Sequence, residues 1–283
     1  MTTTVQGSIQ EKIMVLREKT GAGIMDCKKA LVENGGEVEK AVEFLRKKGL
    51  ADVAKRSART TKEGIITVKV SADGKTAVLS ELTCETDFVA KTPDFKKLGE
   101  DIAAYVLATD KPDYAGDAKI SEMVLAVAPK LGENIVFRRA ARYATTGALW
   151  YYLHGDNKKA ALVELACDNT SADAAKLRDA AKELAMQIVA MSPRYVAKTD
   201  VPAAEVEKEK EIYTTQAKNQ GKPDAAIVKM LDGRIKKFYE EVCLLSQTSV
   251  RDSKKTVEQY LAEYTAGLGK VTVRRFVRYQ LGA

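Results

Sequence analysis

The chain has 283 residues, a formal net charge of +7, 45% hydrophobic residues and 30% charged residues. This composition excludes a disordered polymer, leaves room for two or three domains, and contains no apolar run near the ~18 residues of a membrane span. Residues 1–6 lack the pattern of a signal or Arg-rich transit peptide, and the cysteines at 27, 84, 167 and 243 form no CxxC, zinc or dense disulfide spacing, so a soluble cytoplasmic protein with small buried thiols is expected.

The first 50 residues read as three short helices. Val5 to Lys19 carries Ile9, Ile13 and Leu16 at helical spacing before Thr20-Gly21-Ala22-Gly23 breaks it. Ile24 to Glu33 follows, with Ile24, Cys27, Lys28 and Leu31 around one side. After Asn34-Gly35-Gly36, Glu37 to Lys48 carries Val38, Ala41, Val42 and Leu45. Such a bundle is too small for a deep active site and suits a peptide- or helix-binding role. A solubilising appendage is the plainer alternative.

Residues 46–62 hold Arg46, Lys47, Lys48, Lys55, Arg56, Arg59 and Lys62 against a single acid, Asp52. Together with the net charge this raises RNA binding as an alternative function. No aromatic residue is interleaved for base stacking, so a solvated interdomain linker is the expected reading. Asp73-Gly74-Lys75-Thr76 looks like the end of a phosphate loop, but Lys69 stands where that pattern needs glycine. It lies between strand-like runs and predicts a hairpin turn.

The strand Thr76 to Cys84 leads into Glu85-Thr86-Asp87-Phe88-Val89-Ala90-Lys91. Thr86 or Asp87 can cap a helical turn there, because their oxygens accept free backbone N–H groups. Phe88 is then either a staple in its own core or an exposed aromatic wedge.

A repeat bears on that choice. Shifted by 83 positions, Gly64, Asp73, Lys75, Leu79, Glu81, Leu82 and Cys84 fall on Gly147, Asp156, Lys158, Leu162, Glu164, Leu165 and Cys167. The register holds to Glu100 on Glu183. Opposite Thr86-Asp87-Phe88-Val89 the second copy has Asn169-Thr170-Ser171-Ala172, which keeps no large apolar residue. That asymmetry favours contact over core without deciding it.

The repeat resumes at a shift of 136, with Asn134 to Tyr143 on Lys270 to Tyr279 and Arg138-Arg139 on Arg274-Arg275. The two shifts, 83 and 136, differ by 53 residues, so the second copy holds an insertion of about that size between Val189 and Lys270. Ala203 to Glu240 fits it: helix formers broken once at Gln220-Gly221-Lys222-Pro223, as an antiparallel helical hairpin requires. Its second arm carries Ile227, Met230, Leu231, Ile235, Phe238 and Val242 as a stripe.

Catalytic motifs are sparse. His154 is the only histidine, so a Ser–His or Cys–His device could use no other. Gly21-Ala22-Gly23 is no dinucleotide fingerprint, since Asp26 replaces the third glycine. The chain does not read as an enzyme and calls for no cofactor. An enzyme built on His154 and a cysteine remains a rival to be tested by alkylation.

Thr20-Gly21-Ala22-Gly23-Ile24-Met25-Asp26-Cys27-Lys28-Lys29-Ala30-Leu31, Cys84 to Lys91, and Gly132-Glu133-Asn134-Ile135 followed by Arg138-Arg139 stand in the order of the signature stretches of the elongation factor Ts family. The chain resembles that family from about residue 8 to its end. The resemblance implies an α+β fold: an N-terminal ubiquitin-associated-like bundle, a core of two repeated α+β subdomains, and an inserted antiparallel coiled-coil hairpin. On this plan residues 1–55 form the bundle with the basic linker following, 56–146 the first subdomain, 147–202 with 241–283 the second, and 203–240 the hairpin.

The implied function is guanine-nucleotide exchange on elongation factor Tu, bound in its GDP-loaded and nucleotide-free states, with no membrane and no direct nucleic-acid partner. Thr86, Asp87, Phe88 and Val89 match the stretch that intrudes beside the nucleotide and displaces magnesium. Lys28, Leu131 and His154 match other contact positions. Val250 is a weaker match, because Gln247-Thr248-Ser249-Val250 departs from the usual run. His154 alone is equally an ordinary turn histidine. Some family members continue into a further C-terminal helix. With the last strand near Tyr279 and the sequence ending at Ala283, that contact is expected to be missing.

Overall fold

The computed structural model describes residues 8–169 and 171–282. Val5 to Gly7 of the expected first helix, and Thr170 of the second-copy loop, lie outside the described residues. The chain divides into two compact units, Met1–Thr67 with Ser80–Ala140 and Leu281–Ala283, and Val68–Leu79 with Ala141–Gln280.

In the first unit, α1 (Ile9–Thr20) begins at Ser8, whose side chain accepts from Glu11 N while Glu11 reaches back to the Ser8 N–H, a reciprocal cap. Gly21 ends it in the left-handed region, at φ 67°. Helix α2 (Ile24–Glu33) and α3 (Val38–Arg56) follow. Leu16, Cys27, Ala30, Leu31, Val38, Ala41 and Leu45 form their shared core. Ile9 and Ile24 do not join it; both are exposed. Helix α3 also runs eight residues past Lys48, so most of the expected basic linker is helix. Within that helix Gly49 faces Pro129 of α6 (Ala118–Leu131): a Cβ there would sit 2.9 Å from the proline, and the small residue lets the helices approach.

Strands β1 (Glu63–Val70), β2 (Thr76–Cys84) and β3 (Val136–Ala144) make a sheet in the order β1-β2-β3. The turn at Gly74 joins β1 to β2 as a hairpin, with Ser71 N donating to Thr76 O at 2.8 Å. Helices α4 (Asp87–Ala90) and α5 (Pro93–Ala108) come directly after β2. Gly99 of α5 lies against Ile65 and Thr67. Glu81, buried in β2, is held by Arg139 Nε at 2.7 Å.

In the second unit, β4 (Ala148–Leu153), β5 (Lys159–Cys167) and β6 (Val271–Gln280) form an antiparallel sheet in the order β4-β5-β6. Helix α7 (Ala174–Met191) packs on it, placing Leu177, Ala181, Leu184, Ala185 and Ile188 against Ala161, Val163 and Leu165. Between Glu164 and Leu165 the β5–β6 register slips by one residue. The bulge lets neighbours Arg274 and Arg275, which would otherwise face opposite sides, both reach the buried Glu164 carboxylate, at 3.5 and 2.6 Å.

Helices α8 (Ala203–Asn219) and α9 (Asp224–Val242) pair across the turn at Gly221 and Pro223. Ile227, Phe238 and Val242 of the expected stripe are buried. The base is tied by Glu205, which accepts from Tyr195 Oη at 2.6 Å and pairs with Arg194. Helix α10 (Val257–Tyr264) precedes β6. Cys27, Cys84 and Cys243 are buried as expected, while Cys167 is only half-buried. No helix among the described residues is long and apolar enough to cross a membrane.

Candidate functional site

The chain leaves β2 at Cys84 and turns at once into α4, a single helical turn. Thr86 is its N-cap, extended at φ −124° and accepting from Val89 N at 3.4 Å. Asp87 pairs with Lys91 one turn on, at 2.5 Å. Ala90 points inward and is buried; Thr86, Asp87 and Val89 are half-buried. Phe88 points away from the protein and is 79% exposed, so the core reading of this residue fails. An isolated turn this short is not stable by itself, because nucleating a helix fixes several residues for one hydrogen bond. Something outside it must hold it.

That support comes from Glu133. Its Oε2 accepts from Glu85 N at 2.9 Å and Thr86 N at 3.0 Å, and its Oε1 accepts from the Thr86 hydroxyl at 2.6 Å. Beside it, Glu85 Oε1 accepts from Asn134 N at 2.7 Å, and Asn134 Nδ2 donates to Arg59 O at 2.7 Å. Arg59 also pairs with Glu85 at 3.4 Å. The buried Cys84 thiol under this network is pushed up to about 12, by burial first and by the Glu133 carboxylate second. It is a packed hydrophobe and a poor nucleophile at neutral pH.

Leu131 is the last residue of α6, half-buried, two positions before Glu133. Lys28 lies apart, exposed on α2 in line with Ile24 and Val32 at four-residue spacing. Ile24, Met25 and Val32 are all exposed, so α2 offers an apolar strip around Lys28. The sequence placed Ile24 and Lys28 on one side of the helix with Cys27 and Leu31, of which only the last two are buried; helical spacing alone does not say which stripe faces inward.

In the second unit His154 and Val250 come together. With Tyr152, Met186, Ala190 and Arg251 they line a hollow of about 390 Å³. His154 is exposed and its Nδ1 lies 3.3 Å from Tyr152 Oη. Val250 N donates to Gln187 Oε1 at 2.8 Å. Gln187, buried in α7, also bonds Gln247 and Thr248 O, and Gln247 bonds Met191 O and Glu241 O. This satisfied amide network fixes the loop carrying Val250. No sequence pattern pointed to it, since glutamines are mostly exposed.

The basic segment is less free than its composition suggested. Lys47 pairs with Glu43, Lys48 with Asp26, Lys55 with Asp52 and Arg59 with Glu85. Among the described residues no group of acids, histidines and cysteines could hold a metal ion.

The family described as Elongation factor TS matches residues 85–283. "Elongation factor Ts" of Clostridium botulinum (strain Alaska E43 / Type E3) is 42% identical over 282 residues, covering 96% of this chain and 92% of that protein. "Elongation factor Ts" of Prosthecochloris aestuarii (strain DSM 271 / SK 413) is 43% identical over 281 residues, covering 95% and 96%. "Elongation factor Ts" of Clostridium acetobutylicum is 42% identical over 278 residues, covering 94% and 90%.

Proposed function

The chain belongs to the elongation factor Ts family, and from that membership we propose that it binds elongation factor Tu and drives GDP off by inserting the tip Thr86-Asp87-Phe88-Val89 beside the nucleotide. Members of the family are translation factors that promote nucleotide exchange and are not enzymes. In this reading α1–α3 are the family's ubiquitin-associated-like bundle, the two sheets with their helices are the repeated subdomains, and α8–α9 are the coiled-coil hairpin. The working site is cytoplasmic, and the partner is met both GDP-loaded and nucleotide-free.

The single observation that carries the reading is Phe88. A large apolar ring stands 79% exposed on a turn whose backbone is hydrogen-bonded from behind. Exposed aromatics on rigid supports are what interfaces use as anchors. Exchange needs no chemistry beyond binding: a factor that prefers the nucleotide-free partner weakens nucleotide by the same factor, by linkage. Each tenfold weakening takes about 1.4 kcal/mol of preference, and one inserted aromatic commonly supplies ~2–4 kcal/mol. Displacing magnesium adds to this, because the phosphates lose the largest nearby positive charge. Lys28 and Leu131, and His154 with Val250, supply affinity from other contact patches.

The deciding experiment is release of labelled GDP from elongation factor Tu, with and without this protein. Acceleration that saturates with factor concentration supports the proposal. Unchanged release at saturating concentrations refutes it.

A further inference from the structure

We propose that Glu133 is the positioning residue for the tip, an inference that rests on the exchange reading above. Gly132 caps α6 at φ 75°, with open space around it, so its glycine serves the left-handed turn. The turn delivers Glu133 to the base of α4. A carboxylate only accepts hydrogen bonds, and both oxygens here are given to the tip: two backbone N–H groups and the Thr86 hydroxyl.

The chain of support is short. Glu133 accepts a hydrogen bond from the Thr86 hydroxyl at 2.6 Å, which sets the direction of the Thr86 oxygen. That oxygen accepts from Val89 N and caps the turn. The turn carries Phe88, whose ring is too exposed to anchor itself. The position of the wedge is therefore set through the backbone, and the backbone is set by Glu133.

The second copy supplies an internal control. It keeps the clamp at the loop base, with Lys270 N donating to Asp168 at 2.7 Å. The repeat equivalent of Glu133 is Gly269, which offers no carboxylate. There, among the described residues, no helical turn stands between β5 and α7, and Ser171 replaces Phe88. Among the described residues brace, turn and wedge are absent together while the frame stays.

The test uses the full chain and elongation factor Tu loaded with labelled GDP. Glu133→Gln keeps the shape but turns one acceptor into a donor facing donors. It is expected to lower the maximal release rate about tenfold while the half-saturating concentration moves less than about threefold. Amide hydrogen exchange at Glu85 and Thr86 in the free protein rises in the same variant. On the Phe88→Ala background, Glu133→Gln costs less than about twofold more, because both changes remove one action. If Glu133→Gln does not fold, Thr86 decides: Thr86→Val, which lacks the hydroxyl that Glu133 holds, is expected to release GDP at least about fivefold more slowly than Thr86→Ser, which keeps it.

Losses that multiply in the Glu133–Phe88 pair, an unchanged maximal rate in Glu133→Gln, or equal rates for the two Thr86 variants overturn the positioning role. A natural rate for Phe88→Ala alone overturns the positioning role too, because no wedge is then left to position; only a failure of the unaltered chain to accelerate release overturns the exchange reading.

Discussion

At the end of β2, Glu85 accepts from the Asn134 backbone N–H at 2.7 Å; at the end of β5, Asp168 does the same for Lys270 at 2.7 Å. Further correspondences lie alongside. A Cβ on Gly64 would meet Leu82 O at 2.1 Å, and one on Gly147 would meet Leu165 O at 2.1 Å. Glu81 and Glu164 are both buried and both held by an arginine of the third strand. Cys84 and Cys167 each point the thiol at the carbonyl two residues on. Against this shared frame the loops differ outright. One holds a braced turn and an exposed phenylalanine; the other has neither among the described residues. The frame residues are those whose loss would break backbone packing or strand a buried charge. In the proposed reading the tip residues answer to something outside the chain.

The sharpest way to break that division is Phe88→Ala. Maximal GDP release is expected to fall at least tenfold, up to the ~2–4 kcal/mol of an interface anchor, with an unchanged melting temperature. A melting temperature that drops with it would return Phe88 to the frame. Next come the glycines. Gly147→Ala forces a methyl into a carbonyl and is expected to cost about 1–3 kcal/mol of folding stability. Gly64→Ala is expected to cost about 1 kcal/mol more, since its φ of 151° adds backbone strain. Denaturant titrations of both variants check this. Equal costs would show that the strain is absent, and no cost at either would dissolve the shared frame.

His154→Ala ranks third. It is expected to weaken binding of nucleotide-free elongation factor Tu by about 1–2 kcal/mol, with the maximal release rate nearly intact. A titration of release against factor concentration reads both quantities, and a collapsed maximum with a normal midpoint would reverse the assignment. Smallest is Ser171→Phe, expected to change the maximal release rate less than about twofold, because an unbraced ring has no fixed place to act. A gain of activity there would show that a phenylalanine alone makes a tip.

Much of the frame was legible because its signals are local. The bounds of β2 agree with the apolar run, and the break at Gly221 and Pro223 separates α8 from α9 as glycine and proline dictate. The extension of α3 through Arg56 was not legible. The dense cations looked like a linker, and the reason for Gly49 among them is Pro129, eighty residues away in sequence. Ile9 and Ile24 misled for a related cause: periodicity marks a stripe without saying that the stripe is covered. For the tip, the sequence offered Phe88 and the missing partner at Ser171. Glu133 stood in a signature stretch, but nothing in the sequence tied it to the tip, because its role is a matter of where a turn delivers a carboxylate.

Gly269 makes the difference between the copies hard to undo. Its φ is 97°, and a Cβ there would stand 2.5 Å from Asp168 Oδ1 and 2.9 Å from Asn169 Cβ. A carboxylate at that place therefore meets both a forbidden backbone conformation and the clamp that closes the loop. Point mutation can remove a brace from one copy by a single step, but restoring it to the other requires the loop to be rebuilt first. The asymmetry of the two copies is thus locked sterically: a single exchange can cost the first loop its brace, and none at Gly269 can give one to the second.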